Sequence, residues 1–196
     1  MKIKNLILFV FFLIFSFSHV TFSKEPGKFI EEITSAASSI LDSEDTKEDK
    51  ILKLKKIAEN SVDIMGIGLY SLGKHRKTIN SDQKKIYNKL FREYFLKSFS
   101  NRLVDYSDPK IEIQSEEKVS DKYTIVRSLL VATDKRPEVK LDWRVYTKDP
   151  ENPLIRDLVI EGLSLARTQK EEFNSIIVSN NNNLDALFNN LREFTK

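Results

Sequence analysis

The first half of the chain repeats apolar residues at intervals of three and four, which predicts a run of helices. A first helix is followed by a polar break and a second helix, at whose start Thr46 and Asp49 are spaced as a capping box. Residues 62–73 are apolar on several sides and predict a buried helix, and a long helix begins at Asn80 or Ser81. The apolar stripes of the first, second and long helices are Phe29, Ile33, Ala37 and Ile40; Ile51, Leu54 and Ala58; and Tyr87, Phe91, Phe95, Phe99 and Leu103.

The second half of the chain changes to a period of two, which predicts strands. Residues 139–146 alternate strictly between apolar and polar side chains, a pattern typical of a half-buried strand. Looser patterns predict further strands over residues 110–119, 123–132 and 154–161, and the short breaks between them favour an antiparallel meander. Two closing helices follow, and their apolar residues are Phe173, Ile176 and Ile177, and then Leu184, Leu187, Leu191 and Phe194.

These elements together predict an α+β fold. We expect N-terminal helices packed on a curved antiparallel sheet of about four strands, closed by the C-terminal helices. A helix layer over a sheet encloses an apolar cavity when both inner faces carry large apolar side chains. The pattern shows no internal repeat, so we expect a single domain over residues 24–196.

The N-terminus predicts an export signal. Lys2 and Lys4 form a short basic region, residues 6–17 are almost entirely apolar, and small residues precede a cleavage site that we place after Ser23. The apolar stretch is shorter than the roughly 20 residues that span a bilayer. An uncleaved anchor that uses the whole stretch to Phe22 is the alternative.

Composition narrows the chemistry. Removing Lys2 and Lys4 with the signal lowers the formal charge from +3 to +1, which gives no support for nucleic-acid binding. The absence of cysteine excludes disulfides, thiol nucleophiles and cysteine-ligated metals. His75 would be the one histidine of the mature chain, and no metal-binding or catalytic spacing surrounds it. A binding protein is therefore favoured over an enzyme.

Residues 157–165, which read D-L-V-I-E-G-L-S-L, and the later pair Glu172-Phe173 resemble the C-terminal signature of the MlaC family, also called the toluene-tolerance family. Members typically read D-V-x-I-E-G-V-S-L-V before a helix that ends in Q-F or E-F. Pro153 stands where the family often has tryptophan, and Thr168-Gln169-Lys170 replaces a common N-Y-R triplet. Upstream residues that are similar to the family's pattern are Leu72, Gly73, Arg76, Thr78, Gln83, Phe91, Phe95 and Tyr106.

The resemblance implies a periplasmic phospholipid-binding carrier and not an enzyme. Such a carrier shuttles lipid between an outer-membrane lipoprotein–porin complex and an inner-membrane ABC transporter with an MCE-domain ring, which maintains outer-membrane lipid asymmetry. The phospholipid is cargo, and no cofactor, metal or catalytic residue is expected. Contacts with the membrane complexes would be transient, and no nucleic acid is involved.

Candidate site residues follow from that implication. The apolar residues expected to line a lipid cavity are Met65, Leu69, Leu72, Phe91, Phe95, Leu141, Trp143, Val145, Val159 and Leu163. Arg144, Arg167 and Lys170 are candidates for contact with the head-group phosphate. Each apolar residue also suits a plain core, and each cation also suits the surface.

Two other functions remain open at this point. Because a fold does not fix a function, a small-ligand-binding protein or an enzyme on a cone-shaped α+β fold is one alternative. An enzyme of this kind would use a buried acid as a general base, and Asp142 and Asp157 are the candidates. A lipoprotein chaperone would also bury acyl chains.

Overall fold

The computed structural model describes residues 25–106, 109–134 and 136–196, so the predicted signal peptide over residues 1–23 lies outside the described residues. The α+β prediction is confirmed. The helices are α1 (Pro26–Leu41), α2 (Lys47–Ser61), α3 (Ile64–Ser71), α4 (Ser81–Leu103), α5 (Leu165–Ser179) and α6 (Leu184–Thr195), with a 3₁₀ turn at Gly73–Lys77. The strands are β1 (Ile111–Ser120), β2 (Tyr123–Leu130), β3 (Val139–Tyr146), β4 (Leu154–Ile160) and β5 (Leu163–Ser164). None of the helices in these ranges combines the length and apolar character needed to cross a bilayer.

Helix starts follow the predicted capping signals. The Thr46 hydroxyl accepts a hydrogen bond from the Asp49 backbone N–H at 3.2 Å and so caps α2. Asn80 caps α4 in a full capping box, in which its side chain accepts from the Gln83 N–H at 2.9 Å and the Gln83 side chain accepts from the Asn80 N–H at 3.1 Å. The apolar segment predicted as one helix ends earlier, at Ser71, and the chain then turns through Gly73 with φ +54°.

The sheet is an antiparallel meander in the order β1-β2-β3-β4-β5. About four strands were expected, and the fifth is the two-residue strand β5. Register shifts occur twice in the β1–β2 ladder and once between β3 and β4, and such bulges bend the strands that carry them. Strand β1 lies at one edge, and most of its side chains are exposed.

The buried apolar side chains divide into two clusters. The helical cluster contains residues from each of the helices α2 through α6, and the sheet cluster contains residues from α1, β2, β3 and β4. Val62, between α2 and α3, packs against both clusters. The large fully buried members of the helical cluster are Leu72, Tyr87, Phe91, Phe173, Ile177, Leu187, Phe188 and Leu191, and the sheet cluster contains Phe29, Ile30, Val126, Val145 and Ile155.

The division refines the predicted layering. Helix α1 lies against β1 and β2, whereas α2, α3 and α5 contact β4, and most of the other helix packing is between helices. The predicted enclosed cavity stays a prediction, and the described residues form an open cleft of about 270 Å³.

Candidate functional site

The cleft lies where the two clusters meet. Its walls come from the end of α2, the start of α3, the middle of α4 and the first residue of β4. Apolar side chains form most of the wall, and four polar residues complete it. The lining residues are Val62, Ile64, Met65, Gly68, Phe91 and Leu154, with Glu59, Asp63, Asn88 and Arg92.

Gly68, one of the residues that line the cleft, allows α3 to approach α4 closely. A Cβ at this position would lie 2.7 Å from the Phe91 Cδ1 atom, which is closer than real Cβ contacts. The Tyr87 hydroxyl donates a hydrogen bond of 2.8 Å to the Gly68 carbonyl from the same helix. The glycine is therefore explained by packing of one helix on another.

Asp63 fixes the wall of the cleft to the sheet. One carboxylate oxygen accepts from the Gly66 N–H at 2.8 Å and caps α3, and the other accepts from the Arg156 guanidinium at 2.6 Å. The Asp63 backbone N–H also donates to the Ile155 carbonyl on β4 at 2.9 Å. Arg156 in turn lies over the Tyr146 ring, 3.5 Å from its centroid. These contacts tie the α2–α3 junction to β4.

Glu59 on α2 and Arg92 on α4 both line the cleft and contact each other. Their carboxylate and guanidinium form an ion pair, in which the Glu59 side chain is 35% exposed and the Arg92 side chain 56% exposed. Asn88 lies one helical turn before Arg92 on the same face of α4 and also lines the cleft. Sequence reasoning missed this polar group, although the four-residue spacing of Asn88 and Arg92 beside Phe91 was a usable signal.

The ten predicted cavity residues do not form one surface in the described structure. Met65 and Phe91 line the cleft, and Leu72 and Phe95 belong to the helical cluster. Trp143 and Val145 belong to the sheet cluster, Leu141 and Val159 are buried, Leu69 is half-buried and Leu163 is 60% exposed.

The strand residues among them lie on different faces. Val159 pairs with Asp142, whereas Leu141 pairs with Ile160 and Trp143 pairs with Leu158. Because paired residues share a face and successive residues alternate, Val159 lies on the opposite face of the sheet from Leu141 and Trp143. Whether any of these residues contacts lipid stays a prediction.

The three predicted head-group cations lie away from the cleft lining. Arg144 on β3 pairs with the buried Asp157 carboxylate at 3.3 Å. Arg167 is exposed in the first turn of α5. The Lys170 ammonium lies 5.6 Å from the centroid of the Tyr70 ring.

Asp157 explains much of the signature at residues 157–165. Its carboxylate accepts from the Ser164 hydroxyl at 2.6 Å and from the Ala166 backbone N–H at 3.0 Å. Between the paired strands, Glu161 and Gly162 have φ +48° and +83°, as a two-residue hairpin turn requires. Ser164 then caps α5 by accepting from the Arg167 N–H at 3.1 Å. Asp157 thus anchors a helix, and this use gives no support to its role as a general base.

His75 is buried in the 3₁₀ turn, with 7% of the residue exposed. No hydrogen-bond partner reaches its Nε2 atom within the described ranges. Nor do those ranges contain a group of three or more histidine, aspartate or glutamate side chains placed to hold a metal ion.

Both the fold and the sequence of this chain are similar to known proteins. The fold is similar to the structure of a phospholipid-binding protein from Ralstonia solanacearum in complex with a phospholipid, with a TM-score of 0.72 and 18% sequence identity over 88% of this chain and 97% of that chain. The family model described as MlaC protein matches residues 31–193. The chain belongs to the MlaC family, as its signature predicted. No curated protein matches it in a sequence search.

Proposed function

We propose that this protein binds a phospholipid and carries it through the periplasm. It would load and unload at an outer-membrane lipoprotein–porin complex and at an inner-membrane ABC transporter with an MCE-domain ring, and so maintain outer-membrane lipid asymmetry. The observation that carries this proposal is the MlaC match over residues 31–193. The solved relative with the same fold, which holds a phospholipid, supports it.

The energetics require a carrier of this kind. Each methylene group removed from water contributes about 0.8 kcal/mol, so exposing two acyl chains of roughly 15 carbons each costs on the order of 20 kcal/mol. A protein that shields the tails removes this barrier and needs neither a reaction nor a cofactor. The basic and apolar segment before residue 24 supports export into the compartment where such transfer occurs.

The cleft beside Val62 is the proposed entrance for the tails. Its walls are mainly apolar, and its volume of about 270 Å³ lies just below the roughly 300–1,000 Å³ of ordinary ligand pockets. Two acyl chains need more space than this, so we propose that the cleft widens as lipid enters.

Lipid extraction tests the proposal directly. The full chain, with its N-terminal segment, is produced in a bacterium and purified from the periplasm, and its bound lipid is identified by mass spectrometry. We expect phospholipid in near-stoichiometric amount. Recovery of lipopeptide would favour a lipoprotein chaperone, and a protein that neither copurifies with phospholipid nor takes it up from vesicles would refute the carrier.

A matched pair of variants tests the location. Met65 lines the cleft and is 55% exposed, whereas Leu52 is 62% exposed on α2 and does not line it. Both positions tolerate a charge without burying it, so Met65→Glu and Leu52→Glu should both fold. We expect Met65→Glu to lower bound phospholipid severalfold and Leu52→Glu to leave it unchanged. Equal lipid content in the two variants would place the tails elsewhere.

A further inference from the structure

Two ion pairs lie at the cleft, one largely buried and held by further contacts and one exposed to solvent. The Asp63 carboxylate is held by the Arg156 guanidinium and by the cap of α3, and its side chain is only 15% exposed. The Glu59–Arg92 pair is much more open to solvent. Exposed ion pairs contribute little stability, so an external anion can replace the Glu59 carboxylate at small cost.

Arg92 is suited to a phosphate. A guanidinium presents parallel N–H groups that match two oxygens of a phosphate, and Arg92 is the cationic residue among those that line the described cleft. The Asn88 amide on the same face supplies another N–H donor, and it makes no side-chain hydrogen bond to the described residues. Both donors therefore line a cleft whose other walls are mainly apolar.

We infer that Arg92 and Asn88 bind the phosphodiester of an amphiphile whose tails enter the cleft, and that Glu59 competes with this phosphate for Arg92. The inference rests on the proposed function, which it deepens by assigning the head-group contact to α4. It differs from the sequence-based candidates Arg144, Arg167 and Lys170. In the empty protein Glu59 holds Arg92, and in the loaded protein the phosphate replaces it.

Competition has a signature that a structural ion pair lacks. If the ion pair only held α2 against α4, removing either partner would destabilise the cleft and lower lipid binding in both variants. If Glu59 competes with the phosphate, removing Glu59 strengthens lipid binding and removing Arg92 weakens it. Opposite signs from the two halves of one ion pair therefore identify the role.

The chain offers a matched control for this experiment. Lys47 on α2 pairs with Asp105, just after α4, at 2.7 Å, and neither lines the cleft. Lys47→Gln changes the net charge as Arg92→Gln does, and Asp105→Asn changes it as Glu59→Gln does. Any effect of net charge on attraction to an anionic vesicle then appears equally in the controls.

The assay measures lipid taken up by the delipidated full-length mature protein from vesicles that contain dioleoylphosphatidylglycerol or dioleoylglycerol, which share their tails. We expect Glu59→Gln to raise the affinity for the phosphatidylglycerol roughly three- to tenfold and Arg92→Gln to lower it by a similar factor, the size of an ordinary net hydrogen bond at a solvent-exposed position. Uptake of dioleoylglycerol should not respond to either change, and both controls should behave as wild type.

Several results would overturn the inference. A loss of phosphatidylglycerol uptake in both Glu59→Gln and Arg92→Gln would show a structural pair, and equal effects on the two lipids would show that no phosphate is recognised. Binding of glycerol 3-phosphate, which has no tails, is measured in the same variants. If Arg92→Gln abolishes this binding but leaves lipid uptake unchanged, Arg92 belongs to a free-phosphate site and the inference is wrong. Failure of the wild-type protein to take up either lipid would instead reject the proposed function itself.

Discussion

Replacing the buried Asp157 on β4 with alanine should destabilise the protein more than most single substitutions do. The carboxylate is 7% exposed and accepts hydrogen bonds from the Ser164 hydroxyl and the buried Ala166 N–H, besides its ion pair with Arg144. Alanine leaves the Ala166 donor without a partner, and an unsatisfied buried donor alone costs roughly 1–3 kcal/mol.

The separate losses give an expected magnitude. The abandoned backbone donor and the lost charge-assisted bond from Ser164 together predict about 3 kcal/mol of lost unfolding free energy. The Arg144 pair adds little because that side chain is 49% exposed. For a domain of this size about 3 kcal/mol corresponds to a Tm lower by roughly 6–12 °C.

Chemical denaturation in urea, followed by circular dichroism, measures the change for three variants. Asp157→Asn keeps an acceptor for the Ala166 N–H and should lose about 1 kcal/mol, and Arg144→Gln should lose less than that. The reasoning is refuted if Asp157→Ala lies within about 1 kcal/mol of wild type, or if Arg144→Gln costs as much as Asp157→Ala.

Three further predictions concern packing, titration and export. Gly68→Ala should cost about 1–3 kcal/mol because its Cβ meets the Phe91 ring, whereas Gly27→Ala meets only a flexible glutamate side chain and should be nearly neutral by the same urea assay. Burial raises the pKa of the Tyr87 phenol, so the stability that depends on the neutral form is complete below the unfolded pKa of about 10 and is lost as the pH rises above it. Tyr87→Phe should therefore flatten the fall in Tm above about pH 10, and an unchanged slope would contradict this. Intact-mass analysis of periplasmic protein should find Lys24 as the first residue, and a chain that still begins at residue 1 in the membrane fraction would reject cleavage.

Periodicity predicted most of the secondary structure because most of the elements bury one face. The observed strand Val139–Tyr146 matches the strictly alternating segment, and Asn80 begins the long helix with the capping box that its sequence allows. The two-residue strand β5 was not predicted, because it depends on a turn with two residues at positive φ and not on a hydrophobic pattern.

The site was harder to predict than the fold. A pattern identifies which face is buried but not which partner buries it, so it could not separate the helical cluster from the sheet cluster. Glu59 and Arg92 meet only because α2 crosses α4 near the cleft, and nothing local in the sequence specifies that crossing. Phe91 was found as an apolar stripe residue, but its polar neighbour Asn88 was overlooked because an amide on a helix is ordinarily exposed.

The edge strand β1 has a consequence for how copies of this chain meet. A free strand of ten residues exposes backbone donors and acceptors that could pair with the same strand of another copy. Two register shifts interrupt its ladder, and Glu112, Glu116, Glu117 and Lys118 place charges along its exposed length. Irregular geometry and repulsion between like edges both oppose aggregation through strand addition. The opposite edge is only the two-residue strand β5, which is too short to template another strand, so the open sheet is protected at both ends.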